Sequence, residues 1–220
     1  MAPSDPQADA HPSDRAGEAP ARKRPKPGER RVQILQALAS MLQQPGLERI
    51  TTAALAARLE VSEAALYRHF ASKAQMFEGL IDFIEQTVFA LVNQIAQQDN
   101  AGAGSAPGAR QAGRVLAMVI QFAEKNPGMA RVMVGDALVY ENERLQQRMN
   151  HFFDKLEASL RQCLRAGAAT DGSDTPTVDA QVQASVLTAF LVGRLQRFAR
   201  SGFKRQPSEH LEASLDRLLG

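Results

Sequence analysis

Apolar positions recur along this chain at steps of three and four, the period of a helix with one buried face. Over residues 30–43 they are Ile34, Leu35, Leu38, Met41 and Leu42, and Pro45 with Gly46 ends that segment. Thr51 is placed to cap a helix reaching Leu59, with Leu55 and Leu59 on one face, and Ser62 to cap a second short helix with Leu66 and Phe70 inward. Ser72 then opens a long helix from Lys73 to about Gln98, carrying Met76, Phe77, Leu80, Ile84, Val88 and Leu91. Residues 101–109, rich in Gly and Ala, read as a flexible loop. They do not form a phosphate loop, because no strand precedes them and no Gly-Lys-Ser/Thr follows.

Helix resumes over residues 111–124, and Asn126 followed by Pro127 reads as an N-cap opening another helix. Residues 141–165 place Leu145, Met149, Phe152, Leu156, Leu160 and Cys163 on one stripe. Residues 167–176 read as a polar, mobile connection, residues 177–200 as the last major helix and residues 209–218 as a short terminal one. No stretch alternates as a half-buried strand would. The expected fold is all-α: an N-terminal three-helix helix-turn-helix domain over residues 29–75, its last helix running on to about 88, then a larger helical dimerisation and partner-binding domain over residues 76–220.

Composition narrows the class. The 220 residues are 44% hydrophobic and 23% charged, enough to bury a substantial core. Cys163 is the sole cysteine, so no disulfide forms within the chain. The first residues carry no signal-peptide pattern and no run is long and apolar enough to span a membrane, so a cytoplasmic protein is expected. Catalysis is not expected: His11, His69, His151 and His210 are scattered without ligand spacing, and no nucleophile-elbow context is present. Neither a metal nor a cofactor is implied.

Charge is unevenly spread. The net +2 divides into −3 over residues 1–21, +6 over 22–75 (ten bases, four acids) and −1 over 76–220. A basic block over the helix pair is the footprint of a phosphate-neutralising module. Residues 1–28 hold six of the eleven prolines and few large apolar groups, and are expected to be a disordered arm. Its basic end, Arg22 to Lys26, either lies in a minor groove or is a solvated tail.

Two short helices joined by about three residues cross steeply, as a helix-turn-helix reader does. With Leu66 and Phe70 buried, the second helix presents Ser62, Glu63, Ala64, Tyr67 and Arg68. Small residues at its start admit base edges, while Tyr67 and Arg68 reach phosphates or, for Arg68, a guanine. Thr51 and Thr52 offer hydroxyls and amides at a helix N-terminus to a phosphate oxygen, and Lys73 adds a backbone contact.

Thr52, Leu55, Ala56, Val61, Ser62, Leu66, Tyr67, His69, Phe70 and Lys73 together resemble the signature of the TetR-type DNA-binding domain. The likeness extends over roughly residues 29–210. Residues 50–86, 124–128, 141–150 and 197–204 are similar to one branch of that family, the bacterial nucleoid occlusion factors. Glu60 departs from the glycine usual at its turn position; a left-handed backbone there costs on the order of 1–2 kcal/mol.

The resemblance implies a homodimer whose last two long helices pack into a four-helix bundle, reading a palindromic site on double-stranded DNA. His69 takes a DNA-facing role by the same likeness. It further implies binding at dispersed chromosomal sites and antagonism of the division protein FtsZ. The FtsZ tail would dock along the helix after the reader and its neighbour, at Phe83, Met118, Lys125 and Asn126, though Phe83 and Met118 also suit plain core. The rival expectation is a ligand-responsive repressor, its cavity lined by Phe122, Met133, Phe152, Phe153 and Phe190.

Overall fold

The computed structural model describes residues 28–44, 49–99, 107–170 and 174–220. The expected arm at residues 1–27 and most of the Gly/Ala-rich segment lie outside them. Among the described residues every regular element is helical: α1 (Glu29–Leu42), α2 (Thr52–Arg58), α3 (Glu63–Tyr67), α4 (Lys73–Asp99), α5 (Pro107–Lys125), α6 (Pro127–Met133), a 3-10 turn (Asp136–Leu138), α7 (Glu143–Thr170), α8 (Pro176–Arg200) and α9 (Leu211–Leu219).

The first three helices close on α4. Ile34, Leu38 and Leu42 from α1, Leu55 from α2, and Leu66 and Phe70 from α3 and its exit are all buried. Each such side chain contributes about 1.5–3 kcal/mol by leaving water. Polar ties set the angles: Arg58 donates to the Ser40 hydroxyl at 3.1 Å, joining α2 to α1.

The body is built on α7 and α8, which share the largest helix–helix contact in the chain. Leu145, Met149, Phe152, Leu156, Leu160 and Leu164 form the inner stripe of α7, facing Ala184, Leu187, Leu191 and Leu195 of α8. Leu164, rather than the half-buried Cys163, completes that stripe. Phe152 stacks edge-on against Phe89 and Phe153, with centroids 5.6 and 5.1 Å apart. Phe122 and Met133 are buried too, and Phe153 and Phe190 pack against the core, so all five residues of the rival ligand cavity are core or packed against it.

Two expected boundaries shift, and one expected cap is not made. Helix α5 begins at Pro107, inside the segment read as loop, because Gly108 lies against α7: a β-carbon there would sit 2.3 Å from the Cys163 carbonyl oxygen. The approach also uses Gly167, which is helical, so α7 runs through the start of the expected connection to Thr170. Asn126 does not cap α6 with its side chain; its Nδ2 turns back and donates to the Phe122 carbonyl at 2.8 Å.

Candidate nucleic-acid interface

The reader is assembled from caps. Thr51 Oγ1 accepts from the Ala54 N–H at 3.1 Å and starts α2; Ser62 Oγ accepts from the Ala65 N–H at 3.3 Å and starts α3. Between them α2 ends in a Schellman turn, with Val61 N–H donating to the Ala56 carbonyl and Glu60 N–H to that of Ala57. The residue that must be left-handed in this turn is Glu60, at φ 54°. Glycine would fit there without strain, so the chain carries at this turn the conformational cost anticipated from its sequence.

On α3 the two faces separate cleanly. Leu66 is buried, while Ser62, Glu63, Ala64, Tyr67 and Arg68 are exposed, Tyr67 at 45%. Arg68 has no ion pair or side-chain hydrogen bond among the described residues, leaving its guanidinium open to an acceptor. Thr52 and Glu63 face each other: the Thr52 hydroxyl donates to the Glu63 carboxylate at 2.5 Å and braces α2 against α3. His69 is half-buried, and its carbonyl accepts from Arg31 Nη1 at 2.6 Å. The same guanidinium lies 4.1 Å above the Phe70 ring. Arg31 thus clamps the end of α3 from α1. Its place in the basic block gave no sign of this, because the clamp depends on the α1–α3 crossing.

Lys73 is not the free surface cation expected. It forms an ion pair with Glu141, two residues before α7, lies 5.7 Å from the Phe77 ring centroid, and its side chain is only 19% exposed. Further along, Arg144 reaches Glu78 at 3.6 Å, and Arg148 reaches Asp82 and Glu85 at 2.9 and 2.8 Å. Burial works against the Arg148 charge, but the hydrogen bonds and charges of the two carboxylates prevail and hold its pKa above the usual guanidinium value. A ladder of ion pairs therefore fixes the register of α4, which carries the reader, against α7.

The second group of expected site residues gathers where α4 meets α5. Phe83 is 47% exposed, with its ring 6.4 Å from the buried Phe122. Met118 is half-buried against the core, Lys125 is exposed, and Asn126 is half-buried at the α5–α6 corner. On α8, Val178, Val182 and Val186 repeat every four residues and stand exposed, an apolar stripe that no described residue covers. Gly193 lies two turns beyond Val186 toward the C-terminal end of α8, and a β-carbon there would meet no described residue. No helix of the described residues is long and apolar enough to cross a membrane, and no group of three or more acidic, His or Cys side chains among them is arranged to hold a metal.

A capped helix pair with one polar exposed face, seated on an all-helical body, defines a DNA-binding regulator of the TetR type. Residues 34–80 match the bacterial regulatory proteins of the tetR family, and residues 110–219 match the tetracyclin repressor-like C-terminal domain of SlmA-like proteins. The chain belongs to the TetR family, in its SlmA-like branch. Among its relatives, nucleoid occlusion factor SlmA of Idiomarina loihiensis is 46% identical over 84% of this chain and 90% of its own length. SlmA of Vibrio vulnificus is also 46% identical, over 85% of this chain and 92% of its own. Solved structures share the fold at low identity. FadR from Bacillus subtilis superposes with a TM-score of 0.65 at 14% identity, covering 86% of this chain and 97% of its own. PfmR from Thermus thermophilus gives 0.64 at 20% identity, covering 85% and 94%. The family is non-catalytic, and the chain is not an enzyme.

Proposed function

We propose that this protein is a nucleoid occlusion factor: a homodimer that binds specific palindromic DNA sites dispersed over the chromosome and, so bound, antagonises FtsZ assembly. It works in the cytoplasm, on the nucleoid. The observation that carries the reading is the pairing on one rigid unit of a polar reader face on α3 with an exposed phenylalanine on α4, in a chain 46% identical to proteins named nucleoid occlusion factor SlmA.

In this reading the DNA contacts are Thr51, Thr52, Ser62, Glu63, Ala64, Tyr67, Arg68, His69 and Lys73. Tyr67 and Arg68 are the side chains free to reach outward. Lys73 exchanges Glu141 for a phosphate as the duplex arrives. The valine stripe of α8 meets its copy across a two-fold axis, which sets the two α3 helices about 34–36 Å apart, one turn of duplex. Phe83, Met118, Lys125 and Asn126 receive the FtsZ tail, apolar side chains against Phe83 and Met118 and an acidic group toward Lys125.

The deciding experiment maps bound sites across the genome and sediments FtsZ with the protein and its best site. Many dispersed sites and a DNA-dependent loss of FtsZ from the pellet are expected. A single local operator with no effect on the pellet overturns the reading in favour of a repressor. Phe83→Asp is expected to bind DNA normally and leave the FtsZ pellet intact.

A further inference from the structure

One exposed group of the reader is at odds with its neighbours. Glu63 is the only acid from Val61 to Phe70. It opens α3 and stands exposed beside Ser62, Ala64 and Tyr67. A duplex carries a negative charge for every about 1.7 Å of its axis, so a carboxylate on the face that meets it is repelled. Such a residue weakens binding unless a donor answers it in the complex.

The carboxylate is also held in place. Thr52, the first residue of α2, donates its hydroxyl proton to Glu63 Oε2 at 2.5 Å. No cation pairs with that carboxylate among the described residues, and Oε1 keeps its lone pairs open to them. The tie runs to a helix that is itself fixed by the Thr51 cap. With its hydroxyl proton committed to Glu63, Thr52 keeps its backbone N–H for a phosphate. Ser62 and Ala64 flank Glu63 and are small, which lets base edges approach the start of the helix.

A carboxylate accepts hydrogen bonds and donates none. In the major groove the donors are the amino groups of cytosine, at N4, and adenine, at N6, whereas guanine and thymine present only acceptors there. Adenine sets its N7 acceptor beside N6, where it faces the second carboxylate oxygen and repels it. Cytosine has no acceptor on its own major-groove edge.

We propose that Glu63 is a specificity-determining residue that accepts from the N4 amino group of one cytosine in each half-site, and that Thr52 is the residue that positions it. The inference rests on α3 being the element that enters the major groove, and goes beyond it by assigning one base pair to one side chain.

The test is site selection by the full-length protein from a random duplex pool, followed by fluorescence anisotropy at fixed moderate ionic strength. The parent is expected to select one cytosine per half-site whose replacement by thymine in both halves weakens binding about tenfold or more. Glu63→Gln keeps the shape but can both accept and donate, so it should move the preference at that base pair from cytosine to adenine and leave other positions unchanged. Thr52→Val should narrow the cytosine preference several-fold without installing another base, a readout that mere support of the fold would not move. The assignment is overturned if Glu63→Gln and Glu63→Ala select the parent's site, or if Glu63→Ala loses preference at all positions alike. A Thr52→Val variant with the parent's full preference overturns the positioning role. A parent that selects no sequence defeats the reading of α3 as a DNA reader, whereas a parent with a clear site and unaltered variants defeats the assignment of Glu63 alone.

Discussion

Two positions on one helix make an instructive contrast. Lys73 begins α4 and Phe83 sits three turns on. A lysine is ordinarily a surface residue and a phenylalanine a core residue, yet here the lysine side chain is four-fifths covered and the phenylalanine is nearly half open. The reversal has a local cause at each position. Glu141, in the turn just before α7, supplies the opposite charge that lets Lys73 be enclosed. At Phe83, the Phe122 ring lies 6.4 Å away, and the described residues leave 47% of the residue open. What a side chain touches, more than its type, decides whether it is structural support or available surface.

The contrast can be broken at several strengths. The reader end depends on few buried residues, so Phe70→Ala should have the largest effect. Losing about 3–5 kcal/mol of packing, together with the Arg31 contact, should abolish DNA binding and lower the denaturant midpoint steeply. In the body, Gly108→Ala forces α5 away from the Cys163 carbonyl and should cost about 1–3 kcal/mol, read as a lower midpoint with DNA binding retained on the folded fraction.

Lys73→Ala and Phe83→Ala then separate the two positions on α4. Lys73→Ala strands Glu141 beside α4 and should destabilise by about 1–2 kcal/mol, between the values for exposed and buried pairs. Adding Glu141→Gln should restore part of that loss in a double-mutant cycle. Phe83→Ala should shift the midpoint by less than about 1 kcal/mol, since half the ring already faces water, while removing the effect on FtsZ. A large loss of stability in Phe83→Ala with none in Lys73→Ala would invert the comparison. Glu60→Gly is the smallest change: relief of the left-handed residue should stabilise by about 1 kcal/mol, a rise of roughly 2–4 °C in melting midpoint.

Much of the fold is legible from local signals. The caps at Thr51 and Ser62, the inward Leu55, Leu66 and Phe70, and the long periodic stripes of α4, α7 and α8 are short-range patterns that hold wherever the chain folds. Even the strained Glu60 follows from a turn too tight for a right-handed residue. The boundaries at 107 and 170 were hidden because Gly108 and Gly167 look like loop residues until two helices cross there. Asn126 reads as a cap for the same reason: only the course of α5 reveals the Phe122 carbonyl that claims its amide.

The order and period of residues alone determined an all-helical chain, a capped reader in its first third, and the exposed polar face of α3, because helix periodicity and capping act over a few residues. Pairings between distant segments decided the rest. They enclosed Lys73, left Phe83 and the α8 valines open, set Arg31 over Phe70, and brought the Thr52 hydroxyl to Glu63. Each of these depends on which helix arrives opposite, a choice made by packing across the whole chain and written in no single stretch of it.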